Sequence, residues 1–417
     1  MAGGIDELVG ATPATRDRYV DFLRAVSIGV VVIGHWTIAL ISWDGGLIRA
    51  TSAVGKAPGL WLATWVFQVM PVFFFVGGYA NLVAYESSRR RGESAWDFMG
   101  SRVRRLVLPA SALLGAWAVA QVVLHLTDTG ASSGPSIAGV DLLRGVRPPG
   151  QTIPFGPLWF LGVYLVVVCL SPVTVALHRR FRWAVPAVMV AGTIISDAVG
   201  FLGEQDGIRY LNVVFVLLLP HQLGHFYGDG SVDRWPRRAL WAMVGVGLGG
   251  LVLATNPWLW RLAGDDRFDW FPGIGHYPRS LLGTDVESVS NAYPPTICFM
   301  LVGIWLIGLV LLLRPRLTAW LQGPGPWKAT IAGNAWIMTL FLWHMTAYLL
   351  AIVLLWPLGF GQEVEPSARW WLERPLWILV PGAILAALVA VFGRIERGRR
   401  RSAPAVQPAV PAPDPGS

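Results

Sequence analysis

Charge is what this chain lacks most. Asp, Glu, Lys and Arg make up 14% of its 417 residues, against about 25% in soluble globules, which excludes an ordinary cytosolic enzyme. Disorder along the whole length is excluded as well, because disordered chains are poor in apolar residues and here these reach 54%. Cysteine is nearly absent. Cys169 and Cys298 make neither a disulfide framework nor a thiolate metal site, and both lie in apolar runs that read as buried thiols. Lysine is confined to Lys56 and Lys328. Arginine carries the rest of the positive charge, a bias of GC-rich bacterial genomes. No repeat of fixed period is visible.

What is present is hydrophobicity in long runs. A bilayer core takes about 20 apolar residues per helix. Ten segments meet that length: 20–42, 60–83, 106–126, 157–177, 183–202, 210–228, 239–256, 292–313, 331–356 and 375–393. The 22 tryptophans fit a protein with many membrane–water interfaces. Segment 60–83 contains Gln68 and Pro71. Segment 210–228 contains Asn212, Pro220, His221 and His225. Polar groups at that depth must face protein or water, so these two helices are expected to line an interior. The predicted fold is an all-α polytopic membrane helix bundle.

The net charge of +8 looks like a nucleic-acid footprint until the charges are sorted by membrane side. With the N-terminus inside, 23 of the 33 basic residues fall on cytoplasmic segments. This is the positive-inside bias. It predicts an even number of spans, both termini in the cytoplasm, a place in the cell membrane and no nucleic-acid partner. The first apolar run is too long for a cleaved signal peptide, and no small-residue cleavage site follows it; it reads as an uncleaved anchor. The last sixteen residues, SAPAVQPAVPAPDPGS, are expected to be disordered on composition.

Ionisable groups in apolar surroundings are costly and point to function. The first helix carries Asp21, Arg24 and His35 in RYVDFLRAVSIGVVVIGHW. Arg24 and His35 are eleven residues apart, hence on one face and separated by roughly 16 Å along the axis. Structural roles compete here: Arg24 as an interfacial anchor paired with Asp21 one turn away, His35 as a hydrogen-bonded core histidine. In MPVFFFVGGYAN, Gly77 and Gly78 permit close helix approach, and Pro71 reads as a kink. Arg102 and Arg105 lie on one side of a helix behind Arg89, Arg90 and Arg91. Guanidinium forks suit phosphate oxygens, although positive-inside anchoring explains the cluster equally.

His221 and His225 share a helix face. No Glu lies between them and no third ligand is evident, so interhelical hydrogen bonding is preferred to metal. His344 sits mid-span beside Trp343 and reads as a packed histidine. The longest outside loop, 257–291, mixes Trp258, Trp260, Trp270, Phe271 and Tyr277 with Asp265, Asp266, Asp269, Asp285 and Glu287. It suits a sugar platform and a solvated lid equally.

These elements together resemble the acyltransferase 3 family of multi-pass membrane acyltransferases, most closely its actinobacterial members. The resemblance rests on the Arg24-x10-His35 pair preceded by Asp21, on MPVFFFVGGYAN, on Arg102-x-x-Arg105 before LVLP, on GPLWFLGVYL at 156–165 and on LFLWHMTAY at 340–348. The matches run in the family's order from about residue 19 to about residue 394. The resemblance implies a membrane acyltransferase domain at 19–396, between a cytoplasmic segment 1–18 and a basic, Pro-rich tail 397–417. It implies transfer of an acyl group, often acetyl, from acyl-CoA to a hydroxyl of a carbohydrate, glycolipid or small-molecule acceptor. His35 is then the catalytic histidine and Arg24 its motif partner. Arg102 and Arg105 belong to the pair that handles the acyl-CoA. No metal and no permanently bound cofactor are implied.

The distance between Arg24 and His35 is of the order of the coenzyme's pantetheine arm. A neutral imidazole can act as general base toward the acceptor hydroxyl; an acyl-histidine intermediate remains open. His344 is a candidate second polar contact in the pore. A transporter or flippase would use such buried groups for a substrate or proton path, but no similar halves with matching broken helices are present. A polyprenyl-linked glycosyltransferase is disfavoured because the first outside loop, 43–59, offers only Asp44. A non-catalytic scaffold is the third alternative.

Overall fold

The computed structural model describes residues 9–10, 12–13, 16–126, 136–137, 140–141, 153–254 and 291–398, save short breaks at 45–46, 58–59, 204 and 293. The 257–291 loop, apart from its last residue, the Pro-rich tail and most of segment 1–18 lie outside the described residues.

The first helix, α1 (Arg18–Ile38), begins where the Asp17 carboxylate accepts the Tyr19 and Val20 amides at 2.9 and 3.0 Å. These are amides that a helix start otherwise leaves unpaired. It ends earlier than hydropathy predicts. From Ala39 the chain is extended, and β1 (Ala39–Asp44) pairs antiparallel with β2 (Leu47–Ser52). The sequences ALISWD and LIRATS hold β-branched and aromatic residues that favour a pleated, half-buried ribbon. The expected span 20–42 is therefore a helix followed by a hairpin.

The expected span 60–83 is also two pieces. Helix α2 (Trp61–Phe67) stops at Gln68, and α3 (Met70–Arg90) starts afresh with Pro71 in its first turn. Proline there forfeits no helical hydrogen bond, so Pro71 opens a helix rather than kinking one. Then come α4 (Ala95–Leu126), α5 (Leu158–Phe181), α6 (Ala184–Leu202), α7 (Asn212–Gly228), α8 (Arg237–Ala254) and α9 (Ile297–Trp320). The expected span 331–356 divides at Trp336 into α10 (Pro324–Ala335) and α11 (Ile337–Leu355). Helices α12 (Ala368–Leu372) and α13 (Leu376–Gly398) complete the bundle.

Among the described residues, eight helical stretches are long and apolar enough to cross a membrane: α1, α2 with α3 (Leu62–Arg90), α4, α5, α8, α9, α11, and α12 with α13 (Ala368–Glu396). In α6 the apolar stretch is the shorter Ala184–Gly200, and α7 has 17 residues. Helix α7 is buried along its second half, His221, Gln222 and His225 included, as its polar content requires. One thiol departs from expectation. Cys298 is buried, but Cys169 is exposed. It follows exposed Val166 and precedes exposed Val173 at the spacing of one helix face, the outward face of α5.

Glycine sets the closest helix contact. A Cβ on Gly78 of α3 would stand 1.9 Å from the His221 carbonyl oxygen of α7, and one on Gly224 2.1 Å from that of Phe75. Only glycine permits such backbone approach, and Gly78 fulfils the sequence expectation.

Ion pairs gather the basic helix ends at one end of the bundle. Arg179 meets Glu86 at 2.7 Å, Arg182 meets Asp229 at 3.3 Å, and Arg314 pairs with Asp233. Arg18 donates to the Leu321 carbonyl at 3.1 Å. In the α3–α4 loop, hydrogen bonds from Arg91 and Ser88 pull the Glu93 carboxyl down to about 2. The β1–β2 hairpin lies at the opposite end of α1.

Candidate active site

On α1 the exposed Val26 and Ile33 mark the outer face. At about 100° per residue, Arg24, Ile28, Val31 and His35 fall on the opposite side. That inner face looks onto two cavities. One, about 130 Å³, lies toward the basic end and is walled by Arg24, Arg102, Arg105, Asn81 and Tyr164 among others. The other, about 370 Å³, is walled by His35, Ser27, Gln68, Trp159 and Met345 with apolar neighbours.

The cavities share Ile28, Phe73, Phe160 and Phe341. The phenyl rings of Phe73 and Phe160 lie 5.2 Å apart, and those of Phe160 and Phe341 5.5 Å, both edge to face, the arrangement aromatic pairs prefer. They form a waist between an arginine cavity and a histidine cavity. Three of the motifs noted in the sequence each supply one of these rings: MPVFFFVGGYAN gives Phe73, GPLWFLGVYL gives Phe160 and LFLWHMTAY gives Phe341. The motifs were legible in sequence. Their meeting at a waist was not.

The arginine cavity is positive. Arg24 lies 3.5 Å from Asp21, but Asp21 is also paired with Arg16. Arg102 donates to the Ala80 carbonyl at 3.2 Å and stands over the Phe98 ring. Glu396, on α13, is taken up by α11: it accepts the Thr339 amide at 3.1 Å and its hydroxyl at 2.8 Å. Three guanidiniums thus face a small volume with little compensating charge, the chemistry of an anion site.

In the histidine cavity, His35 is exposed to the open space. Its Nδ1 lies 3.0 Å from Nε2 of His344, and His344 Nδ1 lies 2.6 Å from the Phe341 carbonyl oxygen. The Trp36 indole donates to the His344 carbonyl at 3.1 Å, and Trp117 to the Thr346 hydroxyl at 3.1 Å. His344, which sequence reading left as a packed histidine or a polar contact in the pore, is the direct partner of His35.

His178, His221 and His225 form a separate, closed cluster. His221 Nε2 lies 3.2 Å from the Asn81 amide nitrogen. His225 has the Gly78 carbonyl oxygen 3.1 Å from Nδ1 and the Thr174 hydroxyl 3.2 Å from Nε2. His178, which the sequence did not single out, lies between Gln222 and Asp229 at 2.7 and 3.1 Å. These are the interhelical hydrogen bonds expected of His221 and His225. No group of three His, Cys, Asp or Glu among the described residues is arranged to hold a metal.

The model of the acyltransferase 3 family, an acyltransferase domain, covers residues 17–394. No curated protein and no solved structure matches the chain.

Proposed function

The chain belongs to the acyltransferase 3 family, and on that premise we propose that this membrane acyltransferase moves an acyl group from acyl-CoA to an acceptor hydroxyl. The acceptor is a carbohydrate, a glycolipid or a small molecule such as a polyketide. The observation that carries this reading is the pair of cavities meeting at the Phe73–Phe160–Phe341 waist, guanidiniums on one side and an imidazole on the other.

In this reading Arg24, Arg102 and Arg105 hold the coenzyme's phosphates. The narrow arm passes the waist, and the thioester reaches His35. The roughly 16 Å between Arg24 and His35 along α1 suits such an arm. The acceptor occupies the 370 Å³ histidine cavity. His35 takes the proton of the acceptor hydroxyl as general base. The oxygen bonds to the thioester carbonyl carbon, the C–S bond breaks, and the imidazolium returns the proton to the departing thiolate. Protons balance without a metal. The positive-inside rule turns the arginine cavity toward the cytoplasm, where acyl-CoA is made, in a bacterial cell membrane.

The test has two arms. Purified protein is assayed for thiol release from acetyl-CoA, and the glycans, lipids and secreted metabolites of strains with and without the gene are compared by mass spectrometry. One compound short of one acyl unit in the deletion strain is expected, and it identifies acceptor and donor together. An unchanged metabolome with no thiol release would remove the reading.

A further inference from the structure

The hydrogen bonds around His344 have a consequence for the proton on His35. A carbonyl oxygen only accepts. The Phe341 carbonyl, 2.6 Å from His344 Nδ1, therefore requires the hydrogen of His344 to sit on Nδ1. No carboxylate among the described residues is hydrogen-bonded to either ring. A neutral His344 then presents a bare Nε2 lone pair. That lone pair faces His35 Nδ1 at 3.0 Å, so His35 Nδ1 must carry the hydrogen and donate it. The remaining nitrogen, His35 Nε2, is left unprotonated on the far side of the ring, and among the described residues nothing hydrogen-bonds to it.

The ring geometry agrees. The two imidazole planes are 13° apart with centroids 5.2 Å apart. With the facing nitrogens at 3.0 Å, the rings are joined edge to edge in nearly one plane, as a linear N–H···N bond needs. The supports are built in. Trp36, next to His35, donates to the backbone carbonyl of His344, tying α1 to α11 at this level. Phe341 supplies both the carbonyl that orients His344 and one ring of the waist. The same turn of α11 thus sets the base and its access.

We propose that His344 is the positioning residue of the active site, holding His35 in the Nδ1–H tautomer so that Nε2 is the proton-accepting nitrogen. The proposal rests on the reading of His35 as general base. It fills the orienting role that a third group plays for a catalytic base elsewhere, with a neutral imidazole and a backbone carbonyl in place of a carboxylate. When Nε2 takes the acceptor proton, the Nδ1–H···Nε2 bond becomes charge-assisted and stronger, which favours the ion pair formed during transfer. Nε2 then returns that proton to the thiolate, and His344 ends as it began.

The experiment uses full-length protein in lipid nanodiscs with ¹⁵N-labelled histidine, whose seven rings are assigned by single substitutions. The wild type is expected to show His35 protonated at Nδ1 and bare at Nε2. His344→Gln is expected to keep that tautomer, because a Gln amide can donate to the Phe341 carbonyl and accept from His35 with its own oxygen. His344→Leu is expected to lose it, with kcat down about a hundredfold and the acyl-CoA KM within about twofold of wild type, while the Gln variant recovers most of kcat. A wild-type His35 protonated at Nε2 would overturn the proposal even if no variant folds. So would a folded Leu variant with unchanged kcat, or a Gln variant no better than Leu. The underlying reading fails separately: activity surviving in His35→Ala removes the base and leaves the tautomer spectrum as it is.

Discussion

Two histidine pairs lie inside this bundle, and they are built to opposite ends. His35 and His344 belong to α1 and α11, and one ring of the pair opens on a 370 Å³ cavity. His221 and His225 share α7, pressed against α3 where Gly78 and Gly224 bring the two backbones together. In the first pair His35 lines open space and its Nε2 has no hydrogen-bond partner among the described residues. In the second, Asn81, Thr174 and the Gly78 carbonyl stand at three of the four ring nitrogens of two rings that no solvent reaches. The fourth, His221 Nδ1, is sealed in without a partner among the described residues. Burial of an ionisable residue in a membrane protein is thus only half of a functional signal. The other half is a nitrogen with somewhere to act.

The contrast is broken or sharpened by substitution. The largest effect is expected from His35→Ala, which should lower transfer about a thousandfold while leaving membrane insertion and thermal stability near wild type. His225→Asn should do the reverse, lowering the melting temperature and leaving kcat of the folded fraction unchanged. Equal loss of kcat in both would erase the distinction.

Gly78→Ala comes next. A methyl group 1.9 Å from the His221 carbonyl oxygen forces the α3–α7 seam apart, at about 3 kcal/mol, read as a lower midpoint in thermal unfolding. On the open side, Arg102→Ala combined with Arg105→Ala should raise the KM for acyl-CoA about thirtyfold, with kcat changed much less and the difference shrinking at high salt. The smallest effect is expected at the waist. Phe160→Ala should shift the ratio of kcat/KM for long over short acyl-CoA about tenfold. A residue of the sealed cluster, Thr174, should leave that ratio untouched when changed to Val.

Much of the scaffold was legible in the residues. Each predicted apolar segment is helical over most of its length, because backbone groups in hydrocarbon must be satisfied within the segment. The Arg24–His35 register followed from helical geometry alone, and Gly78 announced the close contact that it makes. The breaks were not legible. Gln68, Trp336 and the turn to strand at Ala39 sit inside continuous apolar runs, and hydropathy has no means of telling a helix from two helices end to end. Pro71 was read as a kink because proline inside a helix and proline opening one look alike until the preceding residue's conformation is known. The His35–His344 pairing was hidden for another reason: His344 lies 309 positions from His35, and a lone histidine beside a tryptophan carries no local sign of its partner.

The most direct measurement is an experimental structure with a non-hydrolysable acyl-CoA analogue bound. The account predicts its phosphates within hydrogen-bond distance of Arg24, Arg102 and Arg105, its arm between Phe73, Phe160 and Phe341, and its acyl carbonyl beside Nε2 of His35. An analogue held elsewhere, or one whose carbonyl stays on the arginine side of the waist, would contradict it.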